Sequence, residues 1–157
     1  MNIKKYYLTK SLNTRRFEKM KEIKYIIITS SKYNGFSALK NRNIIEKLKY
    51  KEDNEFSCHF IIDINGTILN IIPEREKAIC SRNINYDDKS ISIMLTLNKN
   101  GKYEKEELIS LKKLIHTLKR KYDIKSENIL TEFDINGSRK PILFCDEPIL
   151  LWQIIKN

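Results

Sequence analysis

The run Lys24-Tyr25-Ile26-Ile27-Ile28-Thr29 constrains this chain more than any other stretch. A strand with one face in water shows a polar residue at every second position, and this run shows none across its apolar centre. Such a strand belongs inside a sheet covered on both faces, and the usual cover is helical. Helices are available in the sequence. Ser37 is placed to cap one over residues 38–50, with Leu39, Ile44, Ile45 and Leu48 apolar. Residues 104–122 repeat Leu108, Leu111, Ile115, Leu118 and Tyr122 at helical spacing, which leaves His116 beside the apolar stripe as a surface or boundary residue rather than a ligand. A last helix is expected over residues 147–156, around Leu150, Leu151 and Ile154.

Shorter strands complete the pattern. Residues 56–63 alternate, setting Phe56, Cys58, Phe60 and Ile62 against Ser57, His59, Ile61 and Asp63. Asn65-Gly66 and a second strand over 67–72 follow, which together read as a hairpin. Residues 90–97 alternate Ile91, Ile93, Leu95 and Leu97 with Ser90, Ser92, Met94 and Thr96, and residues 128–133 read as a further short strand. The expectation is an α/β fold: a central mixed β-sheet of about five or six strands flanked by helices. One domain should span residues 1–157, with residues 1–22 as a basic, polar lead-in.

The chain carries 30 Lys+Arg against 20 Asp+Glu, a net charge of +10. That balance suits an anionic partner. The lysines are scattered rather than blocked, however, and no nucleic-acid motif accompanies them. Tyr6, Tyr7, Arg15 and Arg16 could touch a phosphate backbone, but nucleic acid is not the expected partner. No apolar segment follows the first residues as in a signal peptide, and the apolar runs at 25–28 and 68–72 are too short to span a bilayer. Cys58, Cys80 and Cys145 are odd in number and not spaced as a zinc knuckle, which fits a reducing compartment. A cytoplasmic location is the expectation.

Five stretches then stand in a familiar order: "IKYIIITSS", "SALKNRNIIEKL", "FSCHFIIDINGTILNIIPERE", "KSISIMLTL" and "FDINGSRKP", followed by a segment carrying Trp152. With an arginine in the lead-in at Arg15 or Arg16, the chain resembles the zinc-dependent N-acetylmuramoyl-L-alanine amidases over nearly its whole length. These belong to the phage-lysozyme and peptidoglycan-recognition-protein superfamily, and the likeness is to the clostridial and bacillar prophage branch. In that family zinc is held by a histidine ending the first buried strand, a second histidine two places before an acidic residue, and a cysteine or aspartate before a proline. The metal converts a bound water into hydroxide at neutral pH.

Carried over residue by residue, the resemblance puts those ligands at Thr29, at Glu132 with Asp134 as the acidic residue, and at Lys140 before Pro141. Neighbouring positions differ as well. Cys58 stands for a tyrosine before His59, Ile79-Cys80 for Trp-His, Ser92 and Met94 for Gly and Glu, and Ser138 for a lysine. The resemblance therefore implies an amidase fold without zinc or other cofactor and without catalytic residues. Glu132 and Lys140 are expected to pair across the former metal position, with Thr29 and Ser138 nearby. His59, Ser92, Asp134 and Asn136 are candidates for lining a groove that binds peptidoglycan or muropeptides. Two alternatives stay open. One is a cytoplasmic or phage-encoded regulator that binds a protein partner such as an active amidase. The other is an active amidase whose metal site is rebuilt from Cys58, His59, Cys80, Glu132, Asp134 and Cys145. Release by phage lysis, or action in a spore compartment, would bring such a protein to the wall.

Overall fold

In the computed structural model, which describes residues 1–51 and 54–136, the apolar run is the core of a long strand. The elements in order are β1 (Ile3–Lys5), β2 (Tyr25–Asn34), α1 (Ala38–Lys47), β3 (Phe60–Ile62), β4 (Ile68–Asn70), α2 (Ile84–Asp87), β5 (Ser90–Leu97), α3 (Lys105–Tyr122), β6 (Ile129–Thr131) and α4 (Glu132–Asn136). Six strands form one sheet in the order β1-β4-β3-β5-β2-β6. β2 lies between β5 and β6 and is parallel to both, as its unbroken apolar character requires. The expected hairpin is the antiparallel pair β3–β4, with Gly66 at φ +89° in its turn. The expected helix over 147–156, and Ser138, Lys140 and Cys145, lie outside the described residues.

α3 covers one face of the sheet. Ile26, Ile28, Phe60, Ile62, Ile91, Ile93, Leu95 and Ile129 pack there with Leu111, Leu114, Ile115 and Leu118. Each such side chain contributes about 1.5–3 kcal/mol by leaving water. His116 is exposed on the far side of α3. α1 covers the other face, where Ala38 and Ile45 meet Cys58, Ile61, Leu69 and Met94.

The phase of α1 differs from the expected one. Ser37 does cap it, its Oγ accepting the Lys40 N–H at 3.1 Å, but Leu39 is 48% exposed. The buried side is Ala38, Asn41, Arg42 and Ile45, because polar anchors rather than leucines set the rotation. Ser31 Oγ donates to Asn41 Oδ1 at 2.6 Å, and Arg42 reaches the carbonyls of Tyr6 and Tyr7.

Those carbonyls belong to the supposed lead-in, which is part of the fold. β1 adds to the sheet edge parallel to β4, and Leu8, Thr14 and Met20 are buried. Arg15 binds Glu76 through both carboxylate oxygens at 3.1 Å and donates to the Leu8 carbonyl at 2.7 Å. The strand expected over 56–63 is also shorter. The chain bends at His59, so Cys58 joins Ile61 on the α1 side rather than Phe60 and Ile62.

Candidate functional site

The parallel strands β5, β2 and β6 end side by side, the edge where open α/β sheets receive ligands. Thr29 is level with Met94 across β2–β5, and Ile28 is level with Thr131 across β2–β6. Glu132 is the next residue, and Thr29 Oγ1 donates to its Oε2 at 2.8 Å. The strand expected to run to residue 133 stops at Thr131, because Thr131 and Asp134 close a capping box that starts α4. Thr131 N–H donates to Asp134 Oδ2 at 2.8 Å, and Asp134 N–H returns to Thr131 Oγ1 at 3.2 Å. Asp134 is thereby a capping residue rather than a groove residue.

Above this edge lies a cleft of about 740 Å³. Thr29, Met94 and Cys80 form its buried floor, with half-buried Glu132 beside them. Asn136 lines it too and donates to the Ser81 carbonyl at 2.6 Å, tying α4 to the loop after Cys80. Lys32, Lys47, Lys51 and Arg82 surround the floor, all exposed. Sequence reasoning did not single out these cations. The spacing of Lys47 and Lys51, four residues apart at the end of a helix, was the available signal.

The other expected groove residues lie elsewhere. His59 and Ser92 are fully buried, so they serve the core and not the groove. The Ser92 N–H donates to His59 Nδ1 at 3.0 Å, which leaves the ring proton on Nε2 to donate to the Glu76 carbonyl at 2.6 Å. Burial lowers the imidazole to about 4, so the ring is neutral and held at both nitrogens. Cys58 is buried behind the floor, its thiol raised by burial. Burial also raises Cys80, reinforced by nearby Cys58, Asp87 and Glu132, so it stays a thiol.

Asp87 organises the wall between Cys80 and α2. Its Oδ1 accepts from the Ser81 N–H at 2.9 Å and the Ser81 hydroxyl at 2.7 Å. Its Oδ2 accepts from the Arg82 N–H at 2.9 Å. Burial raises the carboxyl while these bonds oppose the shift. The grip holds Arg82 at φ +62°.

The resemblance assigns zinc three ligand positions. Two of the positions the resemblance assigns to ligands carry a hydroxyl and a carboxylate bonded to each other, and the third, Lys140, lies outside the description, as does any Glu132–Lys140 pair. Among the described residues no three His, Cys, Asp or Glu side chains come together as a metal site. No described helix is long and apolar enough to cross a membrane.

A mixed sheet with a helix on each face, and a cleft where its parallel strands end, defines an α/β protein of the amidase type. The chain belongs to the N-acetylmuramoyl-L-alanine amidase family, whose model matches residues 19–141. Among solved structures it is similar to a mutant endolysin from Bacillus subtilis, with 22% identity, a TM-score of 0.81 and 98% of each chain covered. It is similar to the catalytic domain of PlyG at 23% identity and a TM-score of 0.81, covering 100% of this chain and 94% of that one. It also resembles the N-acetylmuramoyl-L-alanine amidase LysC from Clostridium intestinale at 20% identity and a TM-score of 0.69, covering 88% and 87%. No curated sequence matches the chain.

Proposed function

We propose that this protein binds peptidoglycan, or muropeptides derived from it, in the cleft and does not hydrolyse them. The observation that carries the reading is the Thr29–Glu132 hydrogen bond, 2.8 Å long, on the floor of the cleft. Cleaving an unactivated amide needs a strong nucleophile and a group that polarises the carbonyl, and in this family one metal supplies both. Here the hydroxyl donates to the carboxylate, and a thioether, Met94, stands beside them. Among the described residues the remaining candidates do not replace the metal. His59 is neutral and engaged at both ring nitrogens, and Cys80 is held as a thiol. The cleft itself persists, open and large enough for a short peptide with an attached sugar.

The test pairs retention with turnover. Purified protein is incubated with isolated sacculi at physiological salt, with and without added zinc, and both pellet and released stem peptides are measured. Retention that excess soluble muropeptide reverses, with no peptide release, is expected. Stem-peptide release abolished by a chelator would overturn the non-hydrolytic reading in favour of a rebuilt metal site. Protein left wholly in the supernatant would overturn the peptidoglycan reading.

A further inference from the structure

We infer that the stacked pair Tyr33–Phe36 at the rim of the cleft is a platform for a sugar ring, and that the outer face of Tyr33 is the surface the sugar meets. The inference rests on the proposed function for the ligand. It goes further in naming the part, glycan rather than stem peptide, that this rim takes.

The strand changes register where the platform begins. β2 and β5 pair in step up to Ser30 and Leu95, and their next partners are Asn34 and Leu97. β2 therefore advances four residues where β5 advances two, and the excess forms a bulge. Bulges bend a strand and re-aim the side chains it carries, as they do beside many binding sites. This one carries Tyr33, which lines the cleft. Positions 32–36 fall between the first two stretches on which the family resemblance rests, so no family role is carried onto them.

A buried polar pair holds the bulge in place. The Tyr33 N–H donates to Ser31 Oγ at 3.1 Å, and that hydroxyl donates to Asn41 Oδ1. Asn41 Nδ2 in turn donates to the carbonyls of Phe36 at 3.1 Å and Ser37 at 2.9 Å. Ser31 and Asn41 are both buried. The backbone is thus fixed beneath both aromatic residues.

The rings are fixed as well. Tyr33 and Phe36 stack with their centroids 5.0 Å apart and their planes 17° apart. Lys40 Nζ stands 3.8 Å from the Phe36 centroid. A cation and a near-parallel ring do not fit on one face, so Phe36 is enclosed between Lys40 and Tyr33. The outer face of Tyr33 remains, and the residue is 43% exposed. An aromatic face is negative at its centre, and the C–H bonds on one side of a pyranose ring present a flat, weakly positive surface to it. An extended peptide offers no such plane. Because the ring is already held by its stack, binding costs it little rotamer freedom.

Isothermal titration would compare a soluble disaccharide-bearing muropeptide with the same stem peptide freed of its sugars, against wild type, Tyr33→Ala and Tyr33→Phe. Wild type should bind the sugar-bearing form about ten-fold more tightly, the scale of one ring stacked on an aromatic side chain. Tyr33→Ala should erase that preference by weakening the sugar-bearing form alone. Tyr33→Phe should keep it, since stacking needs the ring and not the hydroxyl. The preference should be the same at low and high salt, because the contact is between neutral groups. With so exposed a side chain removed, Tyr33→Ala should melt close to wild type.

Equal affinity of wild type for the two ligands would overturn the sugar inference and leave stem-peptide binding intact. Equal weakening of both ligands by Tyr33→Ala would also overturn it, showing that the ring only shapes the rim. A preference lost in Tyr33→Phe, or lost at high salt, would overturn stacking in favour of a hydroxyl or a charge. Absence of binding to both ligands and to sacculi would overturn the inference together with the reading beneath it.

Discussion

The two faces of one sheet are built on different terms. Alternate residues of β2 and β5 send Ile26, Ile28, Ile91, Ile93 and Leu95 toward α3, where the neighbours are apolar. The residues between them turn to the α1 side, where side-chain hydrogen bonds join the apolar contacts: Ser31 with Asn41, Ser92 with His59, and Thr29 with Glu132. The α3 face has few ways to be right, since close packing penalises a change of even one methylene. On the cleft side, water can solvate what a new residue exposes. A family fold can thus persist while residues 29, 94 and 132 differ from the pattern the resemblance describes.

Truncation tests that contrast most strongly. Ile93→Ala, at a position with no exposure on the α3 face, should cost about 2–5 kcal/mol of unfolding free energy in urea. Met94→Ala, one residue on but facing the cleft, should cost less than half as much, because water can occupy part of the space it leaves. Equal losses would break the comparison.

Two buried titratable groups sharpen it through pH. His59 is lowered to about 4 from 6.5, so the unfolded chain binds the extra proton and stability drains as pH falls from 6.5 to 4. The loss over that window is about 3 kcal/mol. Glu107 is raised to about 8 from 4.5 by burial, against a hydrogen bond from Thr96 at 3.0 Å. Its other oxygen, Oε1, has no partner among the described residues. Here the folded chain holds the proton, so its contribution is complete below 4.5 and is lost as pH rises toward 8. Between 4.5 and 6.5 the two slopes oppose each other. From 6.5 to 8 Glu107 acts alone, and stability should fall by about 2 kcal/mol. Urea titrations across this range should show that fall in wild type and lose it in Glu107→Gln. A fall that survives Glu107→Gln would assign it to another group.

The same division explains what the sequence disclosed. The α3 face was legible because burial writes itself as periodicity: the run at 25–29, the alternation at 90–97 and the leucines of α3 all fall where expected. The cleft side was legible in part. The resemblance brought Thr29 and Glu132 to one place, and they are bonded. It did not show that His59 and Ser92 are interior, since a buried histidine satisfied by backbone groups looks the same in sequence as one lining a groove. β1 was missed because its three residues are all exposed and carry no alternation. The stop at Thr131 was there to be read, since Thr131 and Asp134 have the spacing of a capping box. The left-handed arginine was not, because Asp87, five residues away, imposes it.

The smallest effect asks most about the cleft floor. Thr29→Val keeps the branched shape that β2 favours and removes only the hydroxyl that donates to Glu132. If the floor is a surface open to water, the half-buried carboxylate exchanges Thr29 for solvent, and the loss should be about 1 kcal/mol, the net worth of one hydrogen bond. If the floor were sealed like the α3 face, the same change would strand a charge without a partner, at about 3–5 kcal/mol. Chemical denaturation at pH 7 separates the two values. A loss in the higher range would mean that the Thr29–Glu132 pair holds the sheet edge together, and the freedom ascribed to the cleft side would have to be given up.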